Sequence, residues 1–154
     1  MSDFIYLASQ SPRRQELLKQ IGVHFEMLLP APGEDAESIE IQLPQEKAQD
    51  YVKRVTLGKA SLALARWRKS GLPWAPILCA DTTVSLPNSE NGEILGKPID
   101  ADDARRILEM LSGKTHEVLT AVAVINNAED APNCAVQISE VEFATLSSEQ
   151  INTY

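Results

Sequence analysis

Hydrophobic and polar positions follow two periods along this chain, and the switches between them mark its elements. Residues 4–8 form a short apolar run suited to a buried strand. Ser11-Pro12 follows, and serine at an N-cap with proline in the first turn starts a helix. Leu17, Leu18 and Ile21 then recur at helical spacing until Gly22 supplies the stop. Val23, Phe25, Met27 and Leu29 return to a period of two, so the opening is expected to be strand, tight turn, helix, strand.

Residues 30–43 are rich in Pro, Gly, Asp and Glu and read as a loop. A long helical pattern runs from about residue 44 to about residue 69, with Tyr51, Val52, Val55, Leu62 and Leu64 as core contacts and Gly58 as a candidate interruption. After a connector at 72–76, residues 77–86 read as a strand carrying Asp81, and residues 88–92 as the tip of a hairpin. Asp100 is the expected N-cap of a helix to about Leu111, with Ala104, Ile107, Leu108 and Leu111 facing inward and Ser112-Gly113 ending it. Residues 115–125 form a long strand, 126–133 a polar turn, and 134–146 another strand whose apolar phase changes near Glu140, which predicts a bulge. Ser147 and Gln150 have the spacing of a capping box, so a further helix is expected to begin there.

The alternation of strands and helices gives an α/β fold, and 154 residues suit a single domain, 1–154. A net charge of −8 argues against a general binder of nucleic acid or anionic membrane, yet a few local cations could still hold a small anionic ligand. No run approaches the roughly 20 apolar residues of a membrane span. No signal-peptide pattern opens the chain, so a cytoplasmic location is expected. Cys79 and Cys134 match no zinc or redox spacing and are expected to be buried, reduced thiols. Neither a phosphate-binding Walker loop nor a dinucleotide-binding glycine fingerprint is present, and nothing calls for covalent catalysis.

Four groups could carry chemistry. Ser9, Ser11, Arg13 and Arg14 lie between the first strand and its helix. A helix N-terminus presents unpaired N–H groups and partial positive charge, and hydroxyls and guanidinium groups add donors suited to phosphate oxygens. A capped helix with two solvated arginines fits the same residues equally well. Asp81 interrupts an apolar strand, where a carboxylate is disfavoured without partners. It could accept a proton, orient water or hold a divalent cation, or it could bond to a neighbouring loop as a structural residue. Glu34, Asp35 and Glu37 could share a hard cation or form a solvated loop. Lys59, and Lys97 within Gly96-Lys97-Pro98, are isolated cations that read as surface charge when taken singly. His116 is expected to be a hydrogen-bonded structural residue.

Taken in order, these pieces resemble one family. Leu7-Ala8-Ser9-Gln10-Ser11-Pro12-Arg13-Arg14 is similar to the opening signature of Maf proteins. Glu34, Lys59-Ala60, Ala80-Asp81-Thr82, Gly96-Lys97-Pro98, the stretch Leu111-Ser112-Gly113-Lys114-Thr115-His116, and Thr120-Ala121-Val122 continue the match across nearly the whole chain. The resemblance implies a Maf/ITPase-like mixed sheet flanked by helices, with two lobes around a cleft. It implies hydrolysis of a nucleoside triphosphate between the α and β phosphates with a divalent cation, Mg or Mn, and a possible homodimer. Asp81 would accept the proton of the attacking water. Glu34 and Asp81 would hold the metal, and Ser9, Ser11, Arg13, Arg14, Lys59, Thr82 and Lys97 would bind substrate, with Arg13 and Thr82 tied to base selection. The Ser-Pro-Arg-Arg and Asp-Thr forms resemble the branch acting on dTTP and UTP rather than the branch acting on 7-methyl-GTP. Two departures stand out. Cys79 occupies a position where the family usually has glycine. The family also normally continues through an Asp-Lys-Ala-Gly-like motif and a substrate-reading glutamine, so a C-terminally shortened member lacking its last elements is expected. An inactive homologue that binds nucleotide, or has a regulatory role in cell division, is the alternative expectation.

Overall fold

The computed structural model describes residues 3–35, 38–87 and 93–154, which leaves the expected hairpin tip at 88–92 and Glu37 outside the described residues. Strand β1 (Ile5–Leu7), helix α1 (Pro12–Gln20) and strand β2 (Phe25–Met27) open the chain. A short 3₁₀ turn (Ser38–Glu40) precedes the long helix α2 (Ala48–Ser70). Strands β3 (Ile77–Leu86) and β4 (Glu93–Leu95), helix α3 (Ala101–Leu111), strands β5 (Thr115–Ile125) and β6 (Asn133–Glu142) and helix α4 (Ser148–Thr153) follow.

The capping signals act as the sequence leads one to expect. The Ser11 side chain accepts from the Arg14 N–H with Pro12 in the first turn, Asp100 accepts from the Asp103 N–H, and Ser147 and Gln150 cap each other reciprocally. Gly71 ends α2 in the left-handed conformation at φ 72°, where a side chain would be strained.

The six strands form one mixed sheet in the order β2-β1-β3-β5-β6, with β4 pairing with β3 off that path. The pairs β1/β2 and β1/β3 are parallel, and β3/β4, β3/β5 and β5/β6 are antiparallel. Helix α2 covers one face. Its Val52, Val55, Thr56, Ala60 and Ala63 are fully buried at helical spacing, and the two alanines let the helix lie close against Ile77, Cys79, Ala123 and Ile125. Burying each valine contributes on the order of 2 kcal/mol. The buried Thr56 hydroxyl is satisfied by donating to the Val52 carbonyl at 2.7 Å. On the opposite face, Leu86, Leu95 and Leu111 form a separate cluster with Val84, Ile107, Met110 and Phe143 around α3.

Four local expectations are corrected. Leu18 alone of its helical stripe is buried, whereas Leu17 is 53% and Ile21 72% exposed, so α1 rests on the sheet by a narrow contact. Gly58 does not break α2. A Cβ there would meet Ile39 Cδ1 at 3.4 Å, an ordinary contact, so the position lies against the 3₁₀ turn without requiring glycine. There is no bulge near Glu140, because the β5/β6 register runs unbroken from Thr115↔Glu142 to Val124↔Asn133. The apolar phase changes because different layers cover the two ends: Val136 packs against the α2-side cluster and Phe143 against the α3-side cluster. Cys79 is buried as expected, but Cys134 is only half-buried, and both thiols are free.

His116 lies buried edge-on to Phe143, with ring centroids 5.1 Å apart, and its Nδ1 has no hydrogen-bond partner among the described residues. It is thus structural, as expected, without the hydrogen bond. Burial holds its pKa below the ordinary 6.5. The folded chain therefore resists a proton that the unfolded chain accepts, and stability is lost as pH falls below about 6.5. Urea unfolding at pH 8.0, 6.5 and 5.5 should show a midpoint that drops towards acid, with a smaller drop in His116→Leu.

Candidate functional site

The site arises from how β3 shares its edges. β5 pairs with one edge from Ile77 to Ser85. The other edge is divided: β1 pairs with Ile77 and Leu78, and β4 with Val84 to Leu86. Among the described residues no strand covers that edge at 79–83, and Asp81 and Thr82 lie in the gap. β1 stops short because the chain turns into α1, where Ser9 Oγ accepts from the Ser11 N–H at 3.2 Å and Ser11 caps the helix. The N-terminus of α1 thus starts beside the gap, with no acidic residue in its first turn.

Successive strand residues point to opposite faces, so Asp81 looks towards α2 and Thr82 away from it. On the α2 side, Lys59 Nζ donates to Asp81 Oδ1 at 2.9 Å and reaches Glu40 Oε1 at 2.7 Å. Burial pulls the Lys59 pKa down, but the hydrogen bonds to Asp81 and Glu40 more than reverse this and hold it above the ordinary lysine value. Glu40 is brought there by a strap. The Arg54 guanidinium donates to the carbonyls of Ile39 and Ile41 at 3.0 and 2.8 Å and to both Glu46 carboxylate oxygens, and Tyr51 Oη donates to the Glu40 carbonyl at 2.7 Å.

On the other face, Arg14 Nη1 donates to Ser9 Oγ at 3.0 Å and Nη2 reaches Thr82 Oγ1 at 3.5 Å. Thr82 Oγ1 lies 3.1 Å from Thr120 Oγ1 on the neighbouring strand. Burial lowers the Arg14 pKa against the opposing pull of Asp81, so this guanidinium lies within electrostatic reach of the carboxylate across the strand.

The structure therefore brings Ser9, Ser11, Arg14, Lys59, Asp81 and Thr82 together around one gap. The Arg13 and Lys97 side chains are exposed and make no hydrogen bond or ion pair to another described residue. Glu34 is engaged elsewhere: Arg66 Nε donates to its Oε2 at 3.0 Å while Arg66 Nη1 donates to the Leu28 carbonyl at 2.8 Å. The hydrogen bonds from Arg66 hold the Glu34 carboxyl below the usual range, and Asp35 accepts from the Ser38 N–H. The carboxylate that shares Lys59 with Asp81 is Glu40, which the sequence reading did not single out. Cys79 sits one residue before the gap strand's Ala80 with its thiol pushed by burial up to about 11, so it is chemically inert at neutral pH.

Two carboxylates meeting one ammonium offer hard oxygen donors that suit a divalent cation bridged to phosphate, since magnesium is commonly held by one or two carboxylates with substrate phosphates. Among the described residues no cluster of three or more His, Cys, Asp or Glu side chains could hold a metal alone. No helix among them is long and apolar enough to cross a membrane.

With this gap, helix start and paired carboxylates in view, comparison with known proteins defines the class: the Maf-like protein family matches residues 4–154, and the chain belongs to it. It is 55% identical over 150 residues to a dTTP/UTP pyrophosphatase of Burkholderia orbicola (strain AU 1054), covering 97% of this chain and 70% of that one. It is 53% identical over 154 residues to a dTTP/UTP pyrophosphatase of Albidiferax ferrireducens, covering 100% of this chain and 74% of the relative. Among solved structures, the Staphylococcus aureus Ham1 protein matches with a TM-score of 0.52 at 11% identity, over 90% of this chain and 70% of that one, which establishes a shared mixed α/β fold.

Arg54 touches neither Asp81 nor Lys59, so its effect on the site runs through the strap. Arg54→Met should cost about 1–3 kcal/mol in urea unfolding, because charge-assisted hydrogen bonds to two carbonyls and a carboxylate are lost together. Hydrogen exchange should rise in residues 38–46 and stay unchanged in β3, β5 and β6.

Proposed function

We propose that this chain hydrolyses dTTP and UTP to the monophosphate and pyrophosphate with the help of a divalent cation, magnesium or manganese. The observation that carries this reading is the juxtaposition, at one gap in the sheet, of the Lys59–Asp81–Glu40 cluster with the arginine-bearing start of α1. The names borne by relatives more than 50% identical supply the substrate class.

In this reading the triphosphate lies across the gap with its phosphates at the N-terminus of α1. The N–H groups there, the Ser9 and Ser11 hydroxyls and the guanidinium groups of Arg13 and Arg14 meet the phosphate oxygens. Lys97, two residues after β4, would add a further cation for the phosphates once substrate is bound. Asp81 takes a proton from a water that attacks the α-phosphorus, the bond to the bridging oxygen breaks, and pyrophosphate departs with that oxygen. Lys59 holds Asp81 and Glu40 in place and offsets their mutual repulsion. A divalent cation on Asp81 and Glu40 would neutralise charge building on the phosphates. Local cations do this although the chain is acidic overall, because interactions across the gap are short and only partly exposed to solvent.

Pyrophosphate release from dTTP and UTP with magnesium or manganese tests the proposal. Asp81→Asn should lower kcat at least about 100-fold with an unchanged thermal midpoint, and chelation should abolish turnover. Glu40→Gln should raise the metal concentration needed for half-maximal rate. Glu34→Gln should instead lower the unfolding midpoint, with little effect on kcat, because its role is to hold Arg66. The opposite pattern for the two glutamates would return the metal to Glu34.

A further inference from the structure

Thr82 and Thr120 are direct cross-strand partners in the β3/β5 register, so their side chains project from the same face. That face of the two strands is otherwise aliphatic near them. Two residues away on each strand lie Ala80, Val84, Val118 and Val122, which point the same way. Thr82 is exposed, Thr120 half-buried and Val122 37% exposed, so the hydroxyl pair opens to solvent from an apolar surround. Arg14 can only donate, and it donates to Thr82 Oγ1. Either hydroxyl can donate across the 3.1 Å Thr82–Thr120 contact, and when Thr82 donates, the Thr120 proton is free for a ligand on the open face.

We infer that Thr120 is a specificity-determining residue of the pyrophosphatase site, its hydroxyl donating to a carbonyl oxygen of the pyrimidine base while the aliphatic neighbours of the Thr82–Thr120 pair meet the ring. Uracil and thymine both present carbonyl acceptors, so one fixed donor serves both. This rests on the function proposed above. It extends the reading from Thr82 to its partner, and it assigns Arg14 a second task, that of orienting the two hydroxyls.

Binding of the α,β-imido analogue of UTP, measured by calorimetry beside binding of inorganic tripolyphosphate, tests the inference. Thr120→Val keeps the shape and should weaken the UTP analogue about tenfold while leaving tripolyphosphate unchanged. Thr120→Ser should retain most of the affinity. Equal weakening of both ligands would assign the hydroxyl to phosphate and overturn the inference. So would unchanged binding of both with a lowered thermal midpoint, which would make the pair a sheet-stabilising contact only. A wild-type chain that binds the analogue yet releases no pyrophosphate from UTP would sink the hydrolase reading while the binding comparison still decides Thr120. A chain that binds no nucleotide would overturn both.

Discussion

Ten residues of β3 serve three neighbouring strands, and the remaining architecture is arranged around that demand. β5 takes one edge for nearly its whole length, while β1 and β4 approach the other from opposite ends and do not meet. A carboxylate in the middle of an apolar strand would be untenable under continuous cover, because desolvation of an unpaired charge exceeds what any neighbouring hydrophobic contact returns. The gap resolves this. It leaves Asp81 partly accessible and seats the electropositive start of α1 beside it, while Lys59 pairs with the carboxylate from α2 on the face to which it points. Open sheets of this kind place ligands where strand connections diverge, and here the divergence lies along one edge of a single strand.

The chemistry is divided between the two faces of that strand. Charge gathers on the α2 side, in the Lys59–Asp81–Glu40 cluster, and hydroxyls gather on the other, in the Thr82–Thr120 pair. Arg14 links them, with hydrogen bonds on one face and its field felt across to the other. The Lys59–Asp81–Glu40 cluster joins two carboxylates to one ammonium, so the side of the gap that attracts anions is the start of α1 with Arg14.

Much of this was legible in the sequence where a local rule decides the outcome. The caps at Ser11, Asp100 and Ser147 and the strands Ile77–Leu86 and Thr115–Ile125 follow from residues that act within a few positions of themselves. Asp81 was conspicuous because polarity broke a hydrophobic run. What stayed hidden depends on partners distant in the chain. Which acid of the segment before α2 returns to Asp81 is decided by Arg66 capturing Glu34 and by Ile39 seating on Gly58, and neither contact has a local signature. Leu17 and Ile21 have the spacing of a buried face, yet of the apolar side chains of α1 and its cap Leu18 alone is buried. The phase change in β6 looked like a bulge because a single strand does not reveal that different helices cover its two ends.

The parallel pairing of β1 with β3 also sets an order of events during synthesis. Tyr6 must wait for Ile77, which is added about 70 residues later. Until then β1 has only the short β2 beside it, and the start of α1 has no strand against which to fix its arginines. The later strands β3, β5 and β6 join by antiparallel pairing over shorter stretches of chain, which closes at lower entropic cost. Residues 5–14 thus find their place only after residues made later than them, and the corner at the start of α1 is completed when β1 docks on a sheet built from β3, β5 and β6.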